Sequence, residues 1–163
     1  MKKVCCSLLF VLIILLTSCH FGDNGIAVFE PCTDDKEVVI VANHPANIRR
    51  TAEWSTEILA LIDQINALTE DDIIRYRQFS DLYDGEQCTD FLFVDAVTQN
   101  GLQTKSLWFY LMQDNTCLVR IAESEYADDG TFLRDTETAV FTHTNEKIIQ
   151  MILELIDSYS DQS

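Results

Sequence analysis

The residues best suited to acid–base or metal chemistry are three histidines, His20, His44 and His143. An imidazole titrates near neutral pH and is a common metal ligand, so two histidines with a nearby carboxylate would support proton transfer or metal binding. His44 precedes Pro45 in a predicted loop, His143 ends a predicted strand, and His20 lies in a polar N-terminal stretch. Nothing in the spacing requires His44 and His143 to meet. They are candidates for a pocket rather than for a defined catalytic centre.

Other patterns that support catalysis or cofactor binding are missing from the sequence. No serine stands in a Gly-x-Ser-x-Gly elbow, and with five glycines the chain has no Gly-rich phosphate loop. The acidic doublets at residues 34–35, 71–72 and 128–129 lack the alternating oxygen ligands of a calcium loop. The cysteine spacing resembles no zinc site. We therefore expect no metal, no cofactor and no enzymatic activity.

A group of large side chains offers a different kind of site. Trp108, Tyr110 and Met112 alternate along a predicted central strand, so they share one face of it. Core packing is the ordinary role of such residues. On an open, concave sheet they would instead line a groove. With His44 and His143 they define the alternative function, a small-ligand or enzymatic pocket between sheet and helices.

The first nineteen residues have the three zones of a secretory signal. Two lysines follow Met1, residues 4–16 are almost entirely apolar, and Leu-Thr-Ser precedes Cys19. The apolar run is shorter than the roughly 20 residues of a membrane-spanning helix. The tripeptide and Cys19 resemble the lipobox of bacterial lipoprotein precursors.

This resemblance implies that residues 1–18 are cleaved and that Cys19 carries a lipid, which anchors the mature chain of 145 residues to a membrane of the cell envelope. His20 rather than aspartate follows Cys19, which favours the outer membrane in a Gram-negative cell. Two alternatives remain: an ordinary secretory signal followed by an unmodified cysteine, and an uncleaved membrane anchor.

Three cysteines remain after removal of the signal and lipidation of Cys19: Cys32, Cys88 and Cys117. An odd number permits at most one internal disulfide and leaves one thiol over. The oxidising envelope favours such a bond. Cys32–Cys88 and Cys88–Cys117 are both open as pairings.

The rest of the chain divides into a tether (residues 19–35), a single domain (36–159) and a polar tail (160–163). Apolar periodicity predicts a strand at 37–42, helices at 50–68 and 69–82, and a closing helix at 146–159. Strands are predicted at 91–98, 105–113, 116–124 and 131–142, separated by short turn signals such as Asn100-Gly101 and Asp129-Gly130. The predicted fold class is α+β. It has two layers, a four-stranded antiparallel meander packed with two preceding helices and one C-terminal helix.

The chain is strongly acidic. Its formal net charge is −16, and loss of the two signal lysines leaves 9 basic against 27 acidic residues, or −18. Such a surface disfavours nucleic acid, whose binding depends on phosphate neutralisation. It attracts cationic partners. The sequence therefore favours a non-catalytic envelope lipoprotein whose acidic domain binds another protein, as an inhibitor or immunity-type protein or as an assembly partner.

Overall fold

The computed structural model describes residues 29–31, 35, 37–43, 47–82, 87–98 and 101–160. Within these ranges the chain forms seven β-strands and two α-helices. Two single 3₁₀ turns, Glu70–Asp72 and Phe79–Asp81, lie on either side of the third strand. The elements in chain order are β1 (Glu37–Ala42), β2 (Asn47–Thr51), α1 (Thr56–Asn66), β3 (Ile73–Arg75), β4 (Cys88–Val97), β5 (Gln103–Met112), β6 (Cys117–Tyr126), β7 (Phe132–His143) and α2 (Glu146–Ser160).

All seven strands join one antiparallel sheet in the order β2-β1-β4-β5-β6-β7-β3. The predicted architecture, a four-stranded meander with two preceding helices and one C-terminal helix, is therefore wrong. The described chain is mostly sheet, with one helix before β3 and one after β7. The four predicted meander strands overlap β4 to β7, and β1, β2 and β3 extend that sheet at both sides.

The predicted helix at 69–82 is absent, and this stretch forms two single 3₁₀ turns with β3 between them. The Asp72 N–H donates to the Thr69 carbonyl at 3.0 Å, which closes the turn Glu70–Asp72, and the Thr69 N–H donates to Asp72 Oδ2 at 2.8 Å, which caps it. Ile73 and Ile74 follow, and β-branched side chains favour the extended backbone. Both residues pair with β7 at the edge of the sheet, in register with His143 and Thr142. Tertiary pairing thus overrides the helical start signal.

The first predicted helix begins later than expected. Residues 47–51 form β2, which pairs with β1 at the other edge of the sheet. Helix α1 starts at Thr56 because the Ser55 hydroxyl accepts a hydrogen bond from the Ile58 N–H at 3.2 Å. The apolar stripe of α1 is then buried: Ile58, Leu61, Ile62 and Ile65.

The main core lies between the two helices and one face of the sheet. The alternating inward residues of β1, β4, β5, β6 and β7 meet the apolar stripes of α1 and α2 there. Large members of this core are Ile40, Leu92, Phe109, Phe141, Ile148 and Ile152. A second, aromatic cluster lies on the opposite face of the sheet. No helix in the described part of the chain has the length and apolar character needed to cross a membrane.

Tight connections hold the long hairpins in register. Gly101, Asn115 and Gly130 adopt left-handed backbone conformations, with φ of 70°, 63° and 81°. Glycine and asparagine tolerate this region best. The Gly130 N–H donates to the Ala127 carbonyl at 2.8 Å, which closes the turn between β6 and β7.

Candidate functional site

Several predicted site residues lie outside the described residues. They are Cys19, Cys32 and His44. The lipid anchor, any disulfide to Cys32 and the proposed pairing of His44 with His143 therefore stay predictions. Phe29, within the predicted tether, is described and is buried in the core. Its backbone N–H donates to Asn66 Oδ1 at 3.1 Å, and its carbonyl accepts from Asn66 Nδ2 at 2.9 Å.

His143 is buried at the end of β7, with 2% of its surface exposed. The Asn145 N–H donates to its Nδ1 at 3.2 Å, while Nε2 is buried without a hydrogen-bond partner in the described structure. Burial lowers the pKa of this imidazole from 6.5 to about 4. The ring is therefore neutral at pH 7. Its position in the core separates it from any solvent-borne substrate.

Cys117 lies directly opposite His143 across the β6–β7 ladder. The sequence analysis missed this neighbour, although the start of one hairpin strand faces the end of the next. Cys117 is fully buried, and burial raises the pKa of its thiol far above the ordinary value. A thiol held protonated is a poor nucleophile and metal ligand. The pair therefore contributes to the core and is unsuited to nucleophilic catalysis.

Cys88 is half-buried at the start of β4, and its thiol donates to the Asp90 carbonyl at 3.4 Å. Burial, and then the charge of Asp90, raises its pKa. Within the described residues, Cys88 and Cys117 form no disulfide with each other. Strand β5 lies between β4 and β6, and the two cysteines belong to clusters on opposite faces of the sheet. Within the described ranges, no group of three or more histidine, cysteine, aspartate or glutamate residues could hold a metal ion.

The predicted groove residues, Trp108, Tyr110 and Met112, lie together in the aromatic cluster on the sheet face away from the helices. The Trp108 ring packs against Phe93 in a tilted arrangement with the ring centroids 3.8 Å apart, and the centroids of Tyr110 and Phe79 are 5.1 Å apart. Met112 lines a cavity of about 280 Å³ beside the segment that follows β3. Part of this face is therefore covered by the chain's own segment around Phe79.

Arg120 fixes that segment to the sheet. Its guanidinium donates to Glu137 Oε1 at 2.7 Å and to Asp135, and lies 5.6 Å from the centre of the Phe79 ring. Glu137 also accepts the Phe79 N–H at 3.3 Å. The Arg120 side chain is 16% exposed. Two carboxylates thus neutralise this arginine within the fold.

Two open grooves run along the flanks of helix α1. The first lies between α1 and α2, has a volume of about 270 Å³, and is lined by Glu57, Ala60, Met151, Glu154, Leu155 and Ser158. The second, which we call the Trp54 groove, has a volume of about 630 Å³. It is lined by Asp35, Glu53, Trp54, Leu59 and Asp63, together with Pro31 and Ala52.

Both grooves combine apolar side chains with carboxylates and have no basic residue among the described residues that line them. Burial of the apolar side chains by a partner would stabilise the complex, and the carboxylates require positively charged groups on that partner. The arrangement is suited to binding a cationic, partly apolar surface.

Comparison of the chain with protein-family models, with curated proteins and with solved structures finds no match.

Proposed function

We propose that this chain is a bacterial envelope lipoprotein, anchored through a lipid on Cys19, whose acidic domain binds another protein without catalysing a reaction. The observation that carries the proposal is the pair of carboxylate-lined grooves beside α1. Each is concave, partly apolar and negatively charged. These are the properties of a protein-binding surface with a cationic partner.

The negative charge of helices α1 and α2, which together form the helical layer, supports a positively charged partner. Helices α1 and α2 carry five carboxylates, Glu57, Asp63, Glu146, Glu154 and Asp157, and one basic residue, Lys147. Lys147 donates to Gln64 at 2.8 Å. The whole chain has a net charge of −16, so the long-range field has the same sign as the local one. A basic protein would be steered toward this layer at low ionic strength.

The position of Phe29 supports a domain held close to the membrane. Phe29 is ten residues after Cys19 and is docked in the core, so the connecting chain can reach at most about 35 Å. A negatively charged domain gains nothing from anionic headgroups, so the lipid on Cys19 would supply the attachment. A partner would then meet the domain at the membrane surface.

The proposal is tested by capture with the full-length lipoprotein, produced in a bacterial host and immobilised in mild detergent. Envelope and culture-medium fractions are applied at low and at moderate salt. We expect retention of a basic protein at low salt and its release as salt screens the charges. Retention of no protein at any salt would contradict the proposal.

A matched pair of variants distinguishes the grooves from general charge. Glu57→Gln with Asp63→Asn and Glu154→Gln neutralises the grooves, whereas Glu70→Gln with Asp71→Asn and Asp128→Asn removes the same charge elsewhere. We expect the groove variant to lose at least tenfold in retention and the control to lose about twofold or less, because near charges contribute more than distant ones. Equal losses would assign the binding to net charge alone.

A further inference from the structure

The indole ring of Trp54 lines the Trp54 groove and is held by contacts with its neighbours. The Trp54 and Phe29 rings pack in a T-shaped arrangement, with their centroids 6.0 Å apart and an interplanar angle of 70°. The Trp54 indole N–H donates to Asp35 Oδ2 at 3.1 Å. Trp54 lies in the short connection between β2 and α1, and its indole packs against the docked segment at Phe29. A rigid aromatic surface of this kind loses little conformational entropy when it binds.

Negative charge surrounds this aromatic surface. Asp35, Glu53 and Asp63 contribute carboxylates from three separate parts of the chain. Glu53 and Asp63 are exposed, and so is Leu59, an apolar residue of α1 that shares the groove. An indole face attracts a cation through its quadrupole, and most strongly among the aromatic side chains. The carboxylates and the indole therefore both favour a positively charged group.

We propose that the Trp54 groove receives the side chain of an arginine from the partner protein. The guanidinium lies against Trp54 within reach of Glu53 and Asp63, and the aliphatic stem covers Leu59. This inference rests on the proposed protein-binding function and adds the chemistry of one contact. The planar guanidinium stacks on an aromatic face and donates in parallel to carboxylates, so arginine fits this site better than lysine.

Other occupants conflict with the groove. An anionic ligand would be repelled by all three carboxylates. A neutral apolar side chain would remove Glu53 and Asp63 from water and supply no compensating partner. The volume of the Trp54 groove, about 630 Å³, is well above that of one side chain, so partner residues that flank the arginine also fit within it.

The chain offers a direct spectroscopic test because it contains two tryptophans, Trp54 and Trp108. The full-length lipoprotein is labelled with ¹⁵N-tryptophan and studied in detergent micelles. The probes are N-acetyl-arginine methylamide, the corresponding lysine compound, and the neutral isostere N-acetyl-citrulline methylamide. The indole signal that disappears in Trp54→Phe belongs to Trp54, and the Trp108 signal serves as the internal control.

We expect the arginine probe to shift the Trp54 indole signal with half-saturation on the order of 10 mM, a typical strength for one small contact. The lysine probe should bind several-fold more weakly, the citrulline probe should produce no saturating shift, and the Trp108 signal should stay in place. Glu53→Gln with Asp63→Asn should weaken the arginine response at least tenfold. The control, Glu57→Gln with Glu154→Gln in the other groove, should change it less than twofold.

An unmoved Trp54 signal, or equal responses to the arginine and citrulline probes, would overturn the inference. An unchanged Trp108 signal in each variant shows that the fold is retained, so a lost response is assigned to the groove. The two proposals fail separately. Partner capture without an arginine response contradicts the arginine contact alone, whereas an arginine response without any captured protein contradicts the protein-binding function.

Discussion

At the scale of single residues, burial holds the groups that first suggest acid–base or nucleophilic chemistry in their neutral forms. His143 has one nitrogen occupied by the Asn145 N–H and the other enclosed without a partner. Cys117, its cross-strand neighbour, is a buried thiol whose pKa is raised. In both cases the fold favours the neutral form, because the interior disfavours charge. The consequence appears in stability rather than in catalysis.

His143 should make the domain less stable in mild acid. Its pKa is about 4 in the fold and 6.5 in an exposed reference, so the unfolded chain binds the proton first as the pH falls. The stabilisation is complete above pH 6.5 and is lost between that value and pH 4. The difference corresponds to on the order of 3 kcal/mol. Urea unfolding of the wild-type chain and of His143→Leu at pH 4 to 7.5 measures it.

The comparison with His143→Leu isolates the contribution of the imidazole to the pH dependence of stability, because the carboxylates titrate in both proteins. We expect the free energy of unfolding of the wild type, relative to the variant, to fall by on the order of 3 kcal/mol from pH 7 to pH 4. A difference between the two proteins that stays constant with pH would show that the imidazole is solvated in the folded chain.

At the scale of elements, sequence patterns predict the local hairpins better than the edges of the sheet. The Asn-Gly and Asp-Gly turns and the alternation of β4 to β7 depend on neighbours in sequence, so those strands are visible in advance. β3 is a strand because a distant partner, β7, supplies the hydrogen bonds. β2 pairs with β1, its neighbour in the chain, but its five residues, NIRRT, show no apolar alternation that would predict a strand. The acidic first turn after Thr69 is compatible with a helix, and only the pairing of Ile73 with β7 decides against it.

The candidate site is harder to predict from the sequence than the strands, because it also depends on contacts between distant segments. The Trp54 groove is built from Asp35, Glu53 and Asp63, which lie in three different segments and form no sequence motif. The signals that the sequence does offer, a tryptophan before a helix and an excess of acidic residues, are common to many domains. The predicted aromatic stripe of Trp108, Tyr110 and Met112 does share one face, but Phe79 packs against part of it.

The segment after β3 depends on Glu137, which binds both Arg120 and the Phe79 N–H. Glu137→Ala should release this segment locally, because it removes two hydrogen bonds and leaves Arg120 with one fewer carboxylate. A local loss of about 1 kcal/mol raises the open population roughly fivefold. Arg77, which is exposed in this segment, provides a trypsin site that reports the opening.

Limited proteolysis should therefore show cleavage after Arg77 about fivefold faster in Glu137→Ala than in the wild type. Glu123→Ala is the matched control, since Glu123 is an exposed carboxylate on the same hairpin. Equal cleavage rates in the two variants would show that the Arg120 cluster does not hold the segment.

At the scale of the whole molecule, we propose separate roles for charge and anchoring. The acidic helical layer would favour cationic partners, and it offers no attraction to an anionic membrane. A lipid on Cys19 would supply the attachment, and the docking of Phe29 would then limit the distance between lipid and domain to about 35 Å. Under this proposal the grooves beside α1 lie near the membrane surface.

The anchor is tested by Cys19→Ser in the full-length chain. Serine offers no thiol for lipid attachment, so we expect the variant to lose incorporation of labelled palmitate and to leave the membrane fraction. Cys32→Ser is the matched control and should keep both the label and the membrane association. The two acyl chains of a diacylglyceryl group on the cysteine sulfur bury many CH₂ groups at about 0.8 kcal/mol each, so the redistribution should be nearly complete. A Cys19→Ser chain that keeps the label and stays in the membrane fraction would contradict lipid anchoring at Cys19.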